Sequence, residues 1–233
     1  MDLPPLPRQT FPMPRPRYDD VALVVLVTGL LVIFAALALV VAATHGPLEI
    51  DRQIVALIAP WRGSQFDLPM KLATYLCSWQ VIVAGTAVLV IALALRRHRR
   101  AAVLVLVAVA GDQIIVSALK AIIQRPRPDQ ALAILPAAGS SFPSGHTLIC
   151  VVFYGLLAAL VVRGVASLAP KVMIALAVAF WTLIVATSRI YLGAHWPTDV
   201  FGSMLLGSAW IILLMMIEAR LSGVPKIVRL KAD

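Results

Sequence analysis

One uninterrupted apolar stretch near the start of the chain, VALVVLVTGLLVIFAALALVVAA at residues 21–43, decides the fold. A bilayer has a hydrocarbon core about 30 Å thick, which a helix of roughly 20 apolar residues can cross. Hydrophobic residues make up 61% of the 233 residues and charged residues only 13%. A soluble domain of this length cannot bury so much apolar surface, so the sequence predicts an integral membrane protein.

Further stretches of the same character follow, which gives six predicted spans. They lie at residues 21–43, 72–95, 101–123, 147–162, 172–192 and 199–217. An alternative for the first stretch is a secretory signal, because arginines precede it and small residues follow it. Its apolar run is longer than the roughly 7 to 15 residues of a signal core, which favours an uncleaved span. We therefore predict an all-α integral membrane bundle of six transmembrane helices.

The two ends of the chain differ in composition from the apolar middle. The first segment is rich in proline, which is typical of disordered chain, and the last segment carries lysines and an arginine. We predict a disordered cytoplasmic tail at residues 1–18, a six-helix membrane domain at 19–222 and a basic cytoplasmic tail at 223–233.

Basic residues set the predicted orientation. Four arginines lie between residues 96 and 100, in the loop between the second and third spans, and Arg163 and Lys171 lie around the loop between the fourth and fifth. Cytoplasmic loops carry an excess of lysine and arginine, so these loops and both termini are predicted to be cytoplasmic. The loops between spans three and four and between spans five and six then face outward. Basic residues that depart from this bias, and that a substrate-binding role would explain, are Lys120, Arg125, Arg127 and Arg189.

The loop between the first two spans has balanced charges and a helical pattern. The apolar residues at helical spacing are Ile50, Ile54, Leu57, Ile58 and Trp61, and the polar residues that fall elsewhere are Glu49, Asp51, Arg52 and Gln53. This pattern predicts a short amphipathic helix in the first outer loop. Two roles stay open: a helix in the membrane surface that shapes a lipid entrance, and a lid packed on the outer ends of the bundle.

Cysteine content and net charge point to no further function. Cys77 and Cys150 fall inside predicted spans and are interpreted as small apolar packing residues. The formal net charge of +9 lies mostly in the loops between spans, where basic residues act as topology determinants. Nucleic acid is therefore not a predicted partner.

Three residues within or beside the spans have structural interpretations. Asp112 lies near the middle of the third span, and a protonated or hydrogen-bonded structural carboxyl with Gln80 or Ser117 as its partner is favoured. Trp79 and Trp196 are predicted to be interfacial anchors.

Three short stretches at the predicted outer face carry chemistry. They are Lys120 with Arg127-Pro128, Pro143-Ser144-Gly145-His146, and Ser188-Arg189 with His195 and Asp199. Together they supply three cations, two histidines and one carboxylate, a set that can hold a phosphate and break its ester bond. Each stretch alone is more often structural. Their occurrence on one predicted side of the membrane favours a common site.

The spacing within these stretches has a physical basis. Ser144 precedes a predicted helix, whose first amide groups bind anions, and Gly145 lets a phosphate oxygen approach the backbone closely. Asp199 follows His195 by one helical turn, so a hydrogen bond to one ring nitrogen leaves the other unprotonated as a nucleophile. The cations that can share one phosphoryl group are Lys120, Arg127 and Arg189.

As a set, the stretches resemble the type 2 phosphatidic acid phosphatase superfamily, the integral-membrane lipid phosphate phosphatases. The match comprises Lys-x6-Arg-Pro at 120–128, Pro-Ser-Gly-His at 143–146 and Ser-Arg-x5-His-x3-Asp at 188–199, and it covers roughly the second half of the chain. The resemblance implies His195 as the nucleophile, Asp199 as its orienting partner and His146 as the general acid. It implies no metal or other cofactor. The phosphate-binding residues that it implies are Lys120, Arg127, Ser144, Gly145 and Arg189.

The expected function is hydrolysis of a lipid phosphate or diphosphate at the outer face of a bacterial plasma (inner) membrane, through a phosphohistidine. Undecaprenyl pyrophosphate is the favoured substrate. Phosphatidic acid, phosphatidylglycerophosphate and lipid A are alternatives, and a phosphotransferase stays open. The related vanadate-dependent haloperoxidases share the pattern but are soluble, which the hydropathy argues against. A transporter or phosphate-headgroup binding protein would not require His146 or the His195–Asp199 pair, and an inactive scaffold would release no phosphate.

Overall fold

The computed structural model describes residues 18–44 and 46–221, and helices dominate these ranges. The helices are α1 (Tyr18–Thr44), α2 (Glu49–Ile58), α3 (Asp67–Leu76), α4 (Trp79–Leu95), α5 (Arg99–Ile123), α6 (Gly145–Val162), α7 (Leu168–Tyr191) and α8 (Pro197–Leu221). Within the described ranges there is no β-strand. The tails predicted at 1–18 and 223–233 lie outside these ranges apart from Tyr18, and the domain bounds at 19 and 222 stay predictions.

The predicted all-α membrane bundle is confirmed. In the described ranges, five helices are long and apolar enough to cross a membrane alone, namely α1, α5, α6, α7 and α8. Helices α3 and α4 pass the same test as a pair, which gives six spans when the pair counts as one.

The second predicted span is wrong as a single helix, because α3 and α4 are bent by 43°. Ser78 adopts an extended conformation (φ −69°, ψ 154°) between them, and α4 begins at the next residue. Serine is a favoured residue before a helix start, but Ser78 and Gln80 interrupt the apolar stretch only briefly, so the hydropathy pattern predicts one span.

Helix α6 lies at the centre of the bundle, where it packs against α4, α5, α7 and α8, and α1 packs along α8. Helices α5 and α8 approach each other closely at Gly111. A Cβ atom there would lie 2.4 Å from the Trp210 ring. The Trp210 Nε1–H donates to the Ala108 carbonyl at 3.1 Å. The glycine thus gives the tryptophan room to hydrogen-bond the neighbouring helix.

Two predictions about residues in the spans have different outcomes. Cys77 and Cys150 are buried in one apolar cluster with Val185, which confirms them as packing residues. Asp112 is fully buried, but the predicted partners Gln80 and Ser117 are wrong. Its Oδ2 accepts a hydrogen bond from Gln113 Nε2 at 2.9 Å. The adjacent amide reaches this one oxygen, while Oδ1 has no hydrogen-bond partner among the described residues, and the prediction considered only residues farther away in the sequence.

Helix direction brings the three predicted stretches to one end of the bundle. Helices α5 and α7 end there, and α6 and α8 begin there. Gln124 ends α5 in the left-handed conformation (φ 48°, ψ 36°), and the chain then crosses the end of the bundle. The arginine-rich loop at residues 96–100 lies at the opposite end, between α4 and α5.

Candidate active site

The three predicted stretches form one cluster of charged groups. The ionisable residues near the His146 ring come from the other two stretches and are Lys120, Arg127, Arg189 and His195. Arg127, Arg189 and Asp199 surround Lys120 in the same way. Residues separated by up to 79 positions along the sequence thus share one site.

His195 and Asp199 lie side by side, as their spacing predicts. The His195 side chain is 2% exposed, and its Nδ1 lies 3.4 Å from Asp199 Oδ2. The same Oδ2 accepts from the Trp196 backbone N–H at 2.8 Å and from the Ser141 hydroxyl. The contact with Trp196 is one half of a capping box, since a carboxylate in the first turn of α8 reaches back to the amide before the helix. The helix start therefore fixes the carboxylate that faces the imidazole.

Arg127 determines which nitrogen of His195 is free. Its Nη1 lies 3.3 Å from His195 Nε2. A guanidinium can only donate, so Nε2 must offer its lone pair, and the ring proton then sits on Nδ1 towards Asp199. Burial lowers the pKa of His195 to about 4, Asp199 opposes that shift, and Arg189 and Arg127 add to it. The ring is neutral near pH 7, with its lone pair pointing towards the arginine.

The remaining donors of Arg127 bind backbone. Nε donates to the Gly139 carbonyl at 3.0 Å, Nη2 to the Ala138 carbonyl at 3.0 Å and Nη1 to the Ala194 carbonyl at 2.6 Å. Burial lowers the pKa of Arg127. These carbonyls hold the guanidinium beside the imidazole, and the contacts link the loop after α5 to the loop after α7.

The other two predicted cations, Arg189 and Lys120, form fewer hydrogen bonds with the protein than Arg127 does. Arg189 is 4% exposed, and its Nη1 donates to Thr74 Oγ1 at 2.5 Å. Its Nε has no hydrogen-bond partner among the described residues. Lys120 is half-buried. A buried guanidinium with a spare N–H at the edge of a cationic cluster is suited to an anion.

The Pro-Ser-Gly-His stretch begins α6, as predicted. Ser144 occupies the position before the helix, but its hydroxyl accepts from Thr147 Oγ1 at 3.1 Å and makes no capping hydrogen bond. A Cβ atom at Gly145 would meet only Val116 Cγ1, at 3.6 Å, which is ordinary van der Waals contact. Packing alone would therefore allow alanine at this position.

Arg125 has a different role from the substrate-binding one that its position predicted. It is 1% exposed, and it forms ion pairs with Asp199 and, at 2.6 Å, with Asp51 of α2. Its charge is therefore taken up by protein carboxylates. The sequence marked Arg125 as an unusual basic residue in a predicted outer loop, but it did not indicate its partners, which are 74 residues away in both directions.

The loop after α2 is hydrogen-bonded to the end of α7. Arg62 donates from Nε to the Tyr191 carbonyl at 2.8 Å and from Nη2 to the Ile190 carbonyl at 3.2 Å. The Tyr191 hydroxyl binds Asp67 Oδ1 at 2.6 Å. Trp196, predicted as an anchor, donates from its indole to the Pro126 carbonyl at 2.9 Å. These contacts restrain both loops that carry the site.

The predicted amphipathic helix in the first loop is confirmed as α2, but one residue of its polar face is buried and not exposed to solvent. Asp51 is fully buried, whereas Leu57 on the apolar side is 73% exposed. The burial of Asp51 against Arg125 and α8 favours the role of a lid packed on the bundle. Among the described residues, no group of three or more His, Cys, Asp or Glu is arranged to hold a metal ion.

The fold and site together define a multi-pass membrane protein that gathers cations around a neutral histidine at one end of its bundle. The model of the PAP2 superfamily matches residues 101–222, slightly more than half of the chain. The chain belongs to the PAP2 superfamily, as the three stretches predicted.

Known relatives agree with this assignment. Phosphatidylglycerophosphatase B of Bacillus subtilis (strain 168) is 34% identical over 105 residues, which are 45% of this chain and 51% of that protein. The chain thus spans about half the length of this relative. The crystal structure of the first transmembrane PAP2-type phosphatidylglycerolphosphate phosphatase from Bacillus subtilis matches with a TM-score of 0.74 at 25% identity, over 87% of this chain and 98% of that one. Aquifex aeolicus LpxE matches in fold, with a TM-score of 0.57 at 24% identity over 75% of this chain and 97% of that one.

Proposed function

We propose that the protein is a metal-independent phosphatase for a membrane lipid phosphate, acting through a phosphohistidine on His195. The observation that carries the proposal is the alignment of Arg127, His195 and Asp199. Nε2 is neutral and presents its lone pair towards a guanidinium, and Nδ1 faces a carboxylate. Binding alone does not require a nitrogen prepared in this way.

The proposed reaction has two steps. First, His195 Nε2 attacks phosphorus, the bond between phosphorus and the lipid oxygen breaks, and His146 gives its proton to that oxygen. Then His146 takes a proton from water, the water oxygen attacks phosphorus, and the N–P bond breaks to release inorganic phosphate. The groups proposed to neutralise the phosphate charge are Lys120, Arg127, Arg189 and the first amides of α6 after Ser144 and Gly145.

Among substrates, we favour a glycerophospholipid monophosphate, with phosphatidylglycerophosphate first and phosphatidic acid next. The names of the two Bacillus subtilis relatives support this order over undecaprenyl pyrophosphate, which the sequence alone favoured. Lipid A phosphate stays a further alternative. The preference for a glycerophospholipid rests on these relatives.

The proposed location is a bacterial plasma membrane with the site at the outer face and both termini in the cytoplasm. The arginine-rich loop at residues 96–100 supports this orientation, because it lies at the end of the bundle opposite the site.

Phosphate release from purified protein in detergent tests the function. The lipids are phosphatidylglycerophosphate, phosphatidic acid, undecaprenyl pyrophosphate and lipid A, each with and without EDTA. We expect turnover that survives EDTA and is lost in His195→Ala and His146→Ala. A transporter would keep lipid movement in His195→Ala, and a scaffold would release phosphate from none of these lipids. Activity abolished by EDTA and restored by magnesium would overturn the metal-independent mechanism.

A further inference from the structure

Asp51 of α2 is buried behind the His195–Asp199 pair. Its side chain is 0% exposed, whereas the side chain of Glu49, two residues earlier, is 69% exposed. Asp51 Oδ1 accepts from the backbone N–H of Thr198 at 2.9 Å, and Oδ2 accepts from Arg125 Nη2 at 2.6 Å. A charged carboxylate is costly to bury without such partners. Helix α2 therefore places a negative charge against the first turn of α8.

Arg125 connects this carboxylate to Asp199. Its Nη1 donates to Asp199 Oδ1 and to Thr198 Oγ1, the latter at 2.8 Å. Its Nε and Nη2 also donate to the Gly46 carbonyl at 3.3 Å and 3.2 Å. One guanidinium is thus shared by two carboxylates, and the three side chains together carry one net negative charge.

The sharing matters for the imidazole. Paired with Asp199 alone, Arg125 would neutralise the carboxylate that faces His195 Nδ1. With Asp51 present, the group behind the imidazole keeps a negative charge. The imidazole becomes positive when Nε2 bonds to phosphorus, and a negative charge at Nδ1 stabilises that form.

We propose that Asp51 is a positioning residue for the reaction, which shares Arg125 with Asp199 and so preserves the negative charge that faces His195. This role rests on the phosphatase function proposed above. A purely structural alternative is that Asp51 starts α2, since its Oδ2 also accepts from the Leu48 N–H at 3.0 Å. That alternative predicts lower stability without an effect on the proton affinity of His195.

Charge-changing variants distinguish the two roles. The net charge of the Asp51–Arg125–Asp199 group is −1 in the wild type, 0 in Asp51→Asn, −2 in Arg125→Met and −1 again in the double variant. Glu49→Gln is the matched control, because it removes the same charge from the same helix at an exposed position.

The first readout is the titration of the ring nitrogens of the four histidines by NMR in detergent micelles. The charged and titratable groups that face His195 are Asp199 on α8, Arg189 on α7, His146 on α6 and Arg127 on the loop after α5. We expect the His195 titration to move to lower pH in Asp51→Asn, to higher pH in Arg125→Met and back towards the wild-type position in the double variant. Glu49→Gln should leave it unchanged.

The second readout is turnover of the lipid that the panel identifies. We expect kcat of Asp51→Asn to fall about 10-fold or more, as for outer-shell partners in metal sites, with KM within about 2-fold because the phosphate-binding cations are unchanged. The acidic limb of its pH profile should move to lower pH, and Asp51→Glu should recover part of the loss.

Folded Asp51→Asn protein with the wild-type His195 titration and kcat overturns the proposal. If Asp51→Asn does not fold, Arg125→Met and the double variant test the proposal instead. A His195 titration that moves to higher pH in Arg125→Met and returns towards the wild-type position in the double variant supports it. A double variant that titrates like Arg125→Met overturns the proposal. If the wild type releases no phosphate from any lipid, the phosphatase function fails, while the histidine titration still decides whether Asp51 sets the charge at His195.

Discussion

Burial of His195 should make the stability of the protein fall as the pH drops below neutrality. Burial, together with Arg189 and Arg127, lowers the pKa of this histidine from 6.5 to about 4 in the folded protein. The unfolded chain takes up the proton near pH 6.5, so it binds more protons than the folded state between that pH and 4. Stability contributed by the neutral ring is complete above this window and is lost as the pH falls through it. The difference in pKa corresponds to about 3 kcal/mol.

Thermal unfolding in an uncharged detergent, followed from about pH 7 to about pH 4, measures this effect. His195→Gln cannot take up the proton, so it should lose less stability on acidification than the wild type, by about 3 kcal/mol. His98 is exposed between α4 and α5, so His98→Gln is the control and should keep the wild-type pH dependence. Equal pH dependence in wild type and His195→Gln would refute the burial argument.

Three further predictions use other parts of the structure. Gly145→Ala should fold normally, because its methyl group meets only Val116 at 3.6 Å, yet inhibition by added inorganic phosphate should weaken several-fold; unchanged inhibition would mean that phosphate does not approach this amide. Gly111→Ala should lose about 1–3 kcal/mol of stability from overpacking against Trp210, as seen in the melting temperature, and Trp210→Leu should restore it; a wild-type melting temperature would contradict the close approach. In intact cells, a membrane-impermeant maleimide should label Gln65→Cys but label His98→Cys only after permeabilisation, whereas the reverse pattern would invert the proposed orientation; both native cysteines are buried and should stay unlabelled.

Sequence patterns predicted the spans and the site stretches because each depends on local information. An apolar run of sufficient length specifies a membrane helix wherever it occurs, and the antiparallel order of the spans then brings the stretches to one end. The break at Ser78 was missed because the span was assigned from the hydropathy of the whole stretch, in which Ser78 and Gln80 are only a short polar interruption. The partner of Asp112 was missed because the prediction searched for residues on the same or a neighbouring helix face, whereas Gln113 is the next residue in the sequence.

The ion pairs of Arg125 could not be predicted from the sequence. Asp51 and Asp199 each lie 74 residues from it, and a helical pattern assigned Asp51 to a polar face. Which charged residue of an amphipathic helix turns inward depends on what it meets, and that is fixed only when α2 packs on α8. Ser141, which donates to Asp199 from a loop, likewise has no signature in the sequence.

Arg125 and Arg127, two arginines in one short segment, contact different members of the His195–Asp199 pair. Pro126 and Pro128 keep residues 124–128 out of helical structure, so Arg125 and Arg127 reach different partners although they are two residues apart. Arg125 binds Asp199 and favours its charged form, whereas Arg127 faces His195 Nε2 and disfavours a proton there. The same charge thus keeps the carboxylate negative at one end and the imidazole lone pair free at the other. A lysine in place of Arg127 would supply the charge but not the planar donors that three carbonyls hold, so the position of the charge beside Nε2, and not its sign alone, is what the segment provides.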